Sequence, residues 1–343
     1  MEISQKIFDL VNNAVGGNTP VMMIVSLVLL VAGFVMLIKG ADMFVDGASK
    51  IAAKLKVPLI VIGLTIVAFG TSAPEAAISI NSAIQDNAGI AVGNVIGSNI
   101  LNILIILGIS ALFTAVPVKK ATFRYEIPFV IVISVVLLLL GIFGGTIGKL
   151  DAVILLLLFV AFFVYLILLS KKGDSSADDD VPALTEKDTV LKMILFIIIG
   201  LVAIVLGSDF TVTGATAIAE ALNVDDRIIG LTIVAFGTSL PELVTSVTAA
   251  RKHQADIAIG NIVGSNIFNI LLVIGLAGVF SPNPIKFENS FIIDGIVAAV
   301  SAVLLWLLIF KDKKLRKSGG IIMLCCYAAY FVYLLIQPML LAA

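Results

Sequence analysis

The sequence predicts an all-α polytopic membrane protein with ten transmembrane helices in two inverted five-helix repeats. Three observations carry that prediction. The chain of 343 residues is 60% hydrophobic and only 13% charged, with a mean hydropathy of +1.16, whereas a soluble domain carries about 25% charged residues. Apolar runs long enough to cross a bilayer recur along nearly its whole length. One half of the chain also recurs in the other at a constant offset of 167 positions.

The ten spans fall at 21–39, 58–83, 89–115, 126–144, 150–169, 191–207, 225–249, 256–280, 290–310 and 320–341. The apolar runs are continuous rather than alternating, which excludes a β-barrel. Residues 1–169 form the N-terminal half and 190–343 the C-terminal half. Between them, 170–189 (SKKGDSSADDDVPALTEKDT) is the one strongly polar stretch of any length. Its run Asp178, Asp179, Asp180 could bind calcium at a surface, but the shortness and polarity of the segment favour a solvated hinge. The first twenty residues hold Glu2 and Asp9 and lack a basic start, so no cleaved signal peptide is expected. Cys325 and Cys326 are adjacent in the last span and read as lipid-facing or packing residues, not a disulfide or metal pair.

Basic residues set the orientation. Eighteen of the 22 Lys and Arg fall on one side of the ten-span layout, and only Lys6, Lys149, Arg227 and Lys286 on the other. The basic side is cytoplasmic. Both termini are therefore expected outside a cell (inner or plasma) membrane, with the 170–189 linker in the cytoplasm. A net charge of −1 with no basic face gives no reason to expect nucleic acid, and nothing points to an obligate protein partner beyond the lipid bilayer.

The repeat is close. IGLTIVAFGTSAPE at 62–75 recurs as IGLTIVAFGTSLPE at 229–242, and GNVIGSNILNIL at 93–104 recurs as GNIVGSNIFNIL at 260–271. Gly40, Asp42 and Gly47 recur as Gly207, Asp209 and Gly214. The repeats span about 58–115 and 225–282. Five spans per half is an odd number, so the second half enters the membrane from the opposite side. Inverted repeats with interrupted helices point to a secondary transporter whose site lies at the repeat interface.

The chemistry sits where the repeats are polar. Pro74 has no N–H and its ring clashes with the Gly70 carbonyl, so the helix should open there. Carbonyls freed at membrane depth must line a polar cavity, because lipid offers no partner. Thr71 and Glu75 are four apart and share a face; Thr238 and Glu242 repeat the pair. Asn94, Ser98 and Asn102 form a stripe at four-residue spacing, repeated by Asn261, Ser265 and Asn269. Every ligand atom on offer is oxygen. A charged residue at membrane depth costs about 3 kcal/mol, which marks Glu75 and Glu242 as functional. Two glutamates can balance one Ca2+ or two Na+, and Ca2+ accepts six to eight oxygen ligands in flexible geometry. No His or Cys lies in the repeat cores, which argues against a transition metal. His253, beside Arg251 and Lys252, reads as solvated. The bland alternative, in which small residues pack helices and the glutamates are paired structural groups, does not explain why carboxylate, proline and hydroxyls are duplicated in register. Asp42, Asp46 and Asp209, near span ends and close to Lys39 or a loop, read as structural pairs.

In these motifs the chain resembles the cation/calcium exchanger superfamily, in its prokaryotic sodium/calcium antiporter branch. That family's repeats carry G-T-S-x-P-E, here GTSAPE at 70–75 and GTSLPE at 237–242, and G-x-x-x-G-S-N-x-x-N, here GNVIGSNILN and GNIVGSNIFN. The resemblance implies electrogenic exchange of Na+ for Ca2+ at a central cluster. It implies Glu75 and Glu242 as shared carboxylates, with Thr71 and Thr238 giving carbonyls to Ca2+. Ala68, Ser72 and Ser98 would form one Na+ site, and Ala235, Ser239 and Ser265 the other. Asn102 and Asn269 would flank the middle. Some relatives, the potassium-dependent exchangers among them, carry Asp at the position of Asn269. Asn in both repeats leans against K+ co-transport. No cofactor is expected, the transported ions aside.

The expected mechanism is alternating access, in which Na+ and Ca2+ compete for the glutamates. The first and sixth spans, with their Gly40/Gly47 and Gly207/Gly214 pairs, would slide across a core of helices 2, 3, 7 and 8; those glycines equally suit close packing. A Ca2+/H+ exchanger using the same glutamates is the main alternative. A channel usually draws its pore from a ring of identical subunits, whereas this chain supplies both halves itself. An intramembrane hydrolase would need an activated nucleophile, and neither a Ser–His nor an Asp–Asp pair stands at membrane depth, so no enzyme is expected.

Overall fold

The computed structural model describes residues 5–6, 8–10, 13, 19–86, 88–171, 182, 184–185, 188–222 and 235–341. These are almost all helical: α1 Thr19–Leu55, α2 Leu59–Thr71, α3 Ala73–Ile84, α4 Gly89–Phe113, α5 Thr122–Gly144 and α6 Lys149–Lys171. The second half holds α7 Val190–Ala221, α8 Ala235–Thr238, α9 Leu240–Arg251, α10 Ala255–Phe280, α11 Asn289–Leu308 and α12 Lys317–Leu341. Among the described residues, eight helices are long and apolar enough to cross a membrane, or nine if α2 and α3, bent by 53°, count as one broken span. Of the expected span 225–249, residues 225–234 lie outside the described residues. Its remainder, α8 and α9, starts 167 positions after Ala68–Thr71 and Ala73–Ile84 of the first half.

The first and sixth expected spans are too short. Helix α1 runs on to Leu55, 37 residues in all, and α7 covers 32. At about 1.5 Å per residue, α1 is about 55 Å long, well beyond a hydrocarbon core of about 30 Å. Hydropathy ends the first span at Lys39 because Asp42 and Asp46 follow, yet the helix continues for a packing reason. Phe44, Val45, Ala48 and Ala52 are all buried, and both aspartates are neutralised by Lys252, at 3.2 and 2.8 Å. Their partner is thus a residue at the end of α9, not Lys39.

Glycine explains how α1 and α7 lie together. They cross antiparallel, with Gly33 against Gly207 and Gly40 against Gly200. A Cβ on Gly40 would stand 2.8 Å from the Gly200 carbonyl oxygen, and one on Gly207 2.8 Å from that of Gly33. Gly47 meets Met193 and Gly214 meets Ser26 in the same register. The seven-residue spacing, which repeats at the 167 offset, makes one seam of backbone-to-backbone contact of the small-residue kind that drives helix association in lipid. The glycines therefore pack the two long helices on each other.

The interior is made by α4 and α10. Of their most apolar stretches 83% is buried, against 17–33% for the other six long spans. Around them Val95, Ile100, Leu107, Ile133, Leu155, Ile262 and Ile274 build one apolar cluster. A second cluster joins α1 and α7 to α2, α9 and α10 through Leu37, Phe44, Ile204, Leu59 and Ile257. Two-residue strands close both ends of the bundle: Val116–Pro117 pairs with Lys314–Leu315, and Thr146–Ile147 with Ile285–Lys286. They lie beyond opposite ends of α5, and the 167 offset carries one pair close to the other. Cys325 and Cys326 are exposed on α12, where lipid would lie, and His253 is exposed in its turn.

Candidate functional site

The site begins with the break. Ser72 leaves helical geometry at φ −83°, ψ 0°, and Ser239 does the same at φ −93°, ψ 3°. Pro74 and Pro241 follow as the second residues of α3 and α9, so neither can donate to the carbonyl four residues back. In the second half that carbonyl, Gly237 O, accepts from Ser208 Oγ at 2.6 Å. In the first half the residue matching Ser208 is Ala41, which has no hydroxyl to offer. A second irregularity faces the breaks. Asn102 and Asn269 stand at π-helical turns, Asn102–Leu107 and Phe268–Val273, of the kind that clusters at functional sites.

Glu75 and Glu242 occupy the first turns of α3 and α9. Each is 1% exposed. Among the described residues neither has a basic partner. Two like charges buried without a counter-charge are strongly unfavourable, so the arrangement demands cations or protons. Ser72 Oγ donates to Glu242 Oε1 at 2.9 Å, tying the first half's break to the second half's carboxylate. One oxygen of each carboxylate, Glu75 Oε2 and Glu242 Oε2, has no partner. Ser239 Oγ, Ser265 Oγ, Asn102 Oδ1 and Asn269 Oδ1 are buried and unpartnered as well. Buried oxygens are rarely left unpaired. Six of them, two from carboxylates, form a donor set suited to hard cations such as Na+ and Ca2+. Among the described residues no three His, Cys, Asp or Glu side chains converge, so neutral oxygens must complete any coordination shell.

The remaining sequence candidates separate into groups. Ala68, Ser72, Ser98, Ser239 and Ser265 are buried. Thr71 is fully buried, and its hydroxyl lies 3.1 Å from Val67 O and 3.0 Å from Asn261 Oδ1. Thr238 ends α8, and Ala235 begins it. Asn94 and Asn261, expected in the polar stripes, brace the glutamate helices. Asn94 Nδ2 donates to Ser79 Oγ at 2.8 Å and Asn261 Nδ2 to Ser246 Oγ at 2.8 Å, and each lies 3.4 Å from the carbonyl of its glutamate. Four-residue spacing passed over Asn99 and Asn266, which bond to Asn269 and Asn102. The signal was in the duplicated GSN-x-x-N, whose two asparagines are three apart and each bond to the other repeat's copy of the motif.

Comparison with known proteins bears on the fold and the family. The family model described as sodium/calcium exchanger protein matches residues 25–168 and 192–336. The putative antiporter CaxA of Alkalimonas amylolytica is 36% identical over 294 residues, covering 82% of this chain and 90% of that one. The sodium/calcium exchanger MaX1 of Methanosarcina acetivorans is 34% identical over 323 residues, covering 84% and 92%. Among solved structures, the sodium-calcium exchanger NCX_Mj soaked with zero Na+ and Ca2+ aligns with TM-score 0.78 at 32% identity, covering 91% of this chain and 99% of that one.

Proposed function

Because the chain belongs to the sodium/calcium exchanger protein family, a family of membrane ion transporters and not of enzymes, we propose that it exchanges Na+ for Ca2+ across the cell membrane by alternating access, electrogenically and without K+. The observation that carries this reading is a set of six buried oxygens without a hydrogen-bond partner, one from each glutamate and four from Ser239, Ser265, Asn102 and Asn269, with no basic residue paired to either glutamate among the described residues. Glu75 and Glu242 are shared between the ions. Thr71 and Thr238 add carbonyls for Ca2+. Ala68, Ser72 and Ser98 serve one Na+ site, Ala235, Ser239 and Ser265 the other, and Asn102 and Asn269 flank the centre. Residues 1–169 and 190–343 act as inverted halves of ten spans in total, with both termini outside and the 170–189 linker in the cytoplasm.

Charge sets the coupling rule. An empty site buries two carboxylates unbalanced, so the protein changes face only when loaded. The α1–α7 pair is the moving part in this account, because its own glycine seam holds it together while a separate apolar cluster seats it on the rest. Ca2+/H+ exchange is the second reading, since two buried carboxylates without basic partners accept protons as readily as cations. Ca2+ uptake into proteoliposomes, with Na+, K+ and H+ gradients imposed separately, decides between them. Uptake driven by Na+ alone supports the first reading; uptake driven only by the pH gradient replaces it with the second.

A further inference from the structure

Asn99 and Asn266 touch none of the unpartnered site oxygens through a hydrogen bond, yet they dictate which atom two site residues present. Backbone carbonyls can only accept. Asn266 Nδ2 donates to Asn99 O, and Asn99 Nδ2 to Asn266 O, both at 3.3 Å. An amide whose nitrogen is held on a carbonyl turns its oxygen the other way. Asn266 Oδ1 accordingly accepts from Asn102 Nδ2 at 3.0 Å, and Asn99 Oδ1 from Asn269 Nδ2 at 3.1 Å. The nitrogens of Asn102 and Asn269 are thereby committed, and their oxygens are the atoms left unpartnered. All four side chains are at most 3% exposed. Turning any one amide over would set N–H against N–H or oxygen against oxygen in a buried place, at the full cost of an unmade hydrogen bond. The arrangement maps onto itself at the 167 offset.

We propose that Asn99 and Asn266 are positioning residues, each acting across the repeat boundary on the other half's site asparagine. Asn99 makes Asn269 offer an oxygen to the cation, and Asn266 does the same for Asn102. This rests on the exchange reading of the site. An amide released from its anchor can turn N–H toward the cation and repel it. A carboxylate has no N–H to turn, so it is immune to loss of the anchor. In Asn99→Leu the backbone carbonyl of residue 99 survives, so the Asn266–Asn102 branch keeps its anchor.

The test is a crossed rescue, read as KM and kcat for Na+-driven Ca2+ uptake and as binding of radiolabelled Ca2+ to purified protein. N99L raises KM for Ca2+ by about 10–100-fold, the range for groups that orient metal ligands, with the smaller effect on kcat. Adding N269D to N99L returns KM to that of N269D alone, whereas N102D does not. N266L behaves as the mirror image, rescued by N102D and not by N269D. Size-exclusion elution and thermal melting check folding, and N99A or the mirror pair carries the same test if N99L does not fold. Unchanged KM in folded N99L and N266L, or rescue without the crossed pattern, overturns the proposal. A wild type without Na+-driven uptake overturns instead the exchange reading beneath it.

Discussion

Substitution of Gly40 by alanine tests the seam that makes α1 and α7 one body. The added Cβ would lie 2.8 Å from Gly200 O, 2.9 Å from Ala203 Cβ and 2.9 Å from the Ile204 nitrogen. Two of these three neighbours are backbone, so no flexible side chain can swing aside. Ordinary carbon–oxygen contact begins at 3.4 Å, so the backbones must part by about 0.6 Å at that point, and interdigitation along the seam loosens with them. Overpacking of this kind costs about 1–3 kcal/mol, offset by about 1 kcal/mol from alanine's better helix propensity, for a net loss of about 0–2 kcal/mol and a deficit of about 1–3 kcal/mol against a glycine-to-alanine control that meets no clash. The control is Gly144→Ala, whose Cβ meets nothing within 4 Å; it should be neutral or slightly stabilising. Reversible unfolding in mixed micelles reads the difference. Because Gly200 faces Gly40, one separation relieves both clashes, and the double variant should lose less than the sum of the singles. Unfolding of Gly40→Ala that matches Gly144→Ala would refute the seam.

Two further outcomes follow from groups outside the central cluster. Ser208→Ala leaves Gly237 O buried without its 2.6 Å donor and should lower unfolding stability by about 1–3 kcal/mol, while Ala41→Ser in the first half should bring no comparable gain; a loss below the error of the titration counts against the capping role. Asp188, held by Lys50 Nζ at 2.8 Å and by the Thr185 backbone and hydroxyl, has its carboxyl well below the usual carboxylate range, chiefly because of Lys50. A depressed folded value contributes stability above the unfolded pKa of about 4 and loses it as pH falls through the folded value. Wild type should therefore exceed Asp188→Asn by the same margin at pH 6 and pH 8, with the margin shrinking only in strong acid; a margin that vanishes between neutral and mildly acidic pH contradicts the assignment.

Much of the architecture is legible in the chain because duplication and hydropathy are coarse signals. Thirteen of fourteen residues repeat around each glutamate, and Pro74 and Pro241, which cannot donate to the carbonyl four residues back, mark where an apolar span opens. Glu75 and Glu242 stand out because burying them is expensive. What stayed hidden depends on contacts between segments far apart in sequence. The part of α1 beyond Lys39 is packed in the interior and its Asp42 and Asp46 pair with Lys252, more than 200 positions away, so a hydropathy window stops where the helix does not. Four-residue spacing grouped Asn94 with Ser98 and Asn102, whereas Asn94 turns to Ser79 and the site amides are oriented by Asn99 and Asn266. Spacing along one helix cannot tell which neighbouring helix an amide will meet. The glycines of α1 and α7 were equally ambiguous until the antiparallel register placed Gly33 on Gly207.

The central claim, that one pair of buried carboxylates is shared between the exchanged ions, meets its most direct test in Na+-gradient-driven Ca2+ uptake by Glu75→Gln and Glu242→Gln in proteoliposomes. Glutamine keeps the shape and removes one charge of the two that balance a divalent cation. Each variant should fold, elute as wild type and take up no Ca2+ above empty vesicles. Uptake near the wild-type rate by either one contradicts the account.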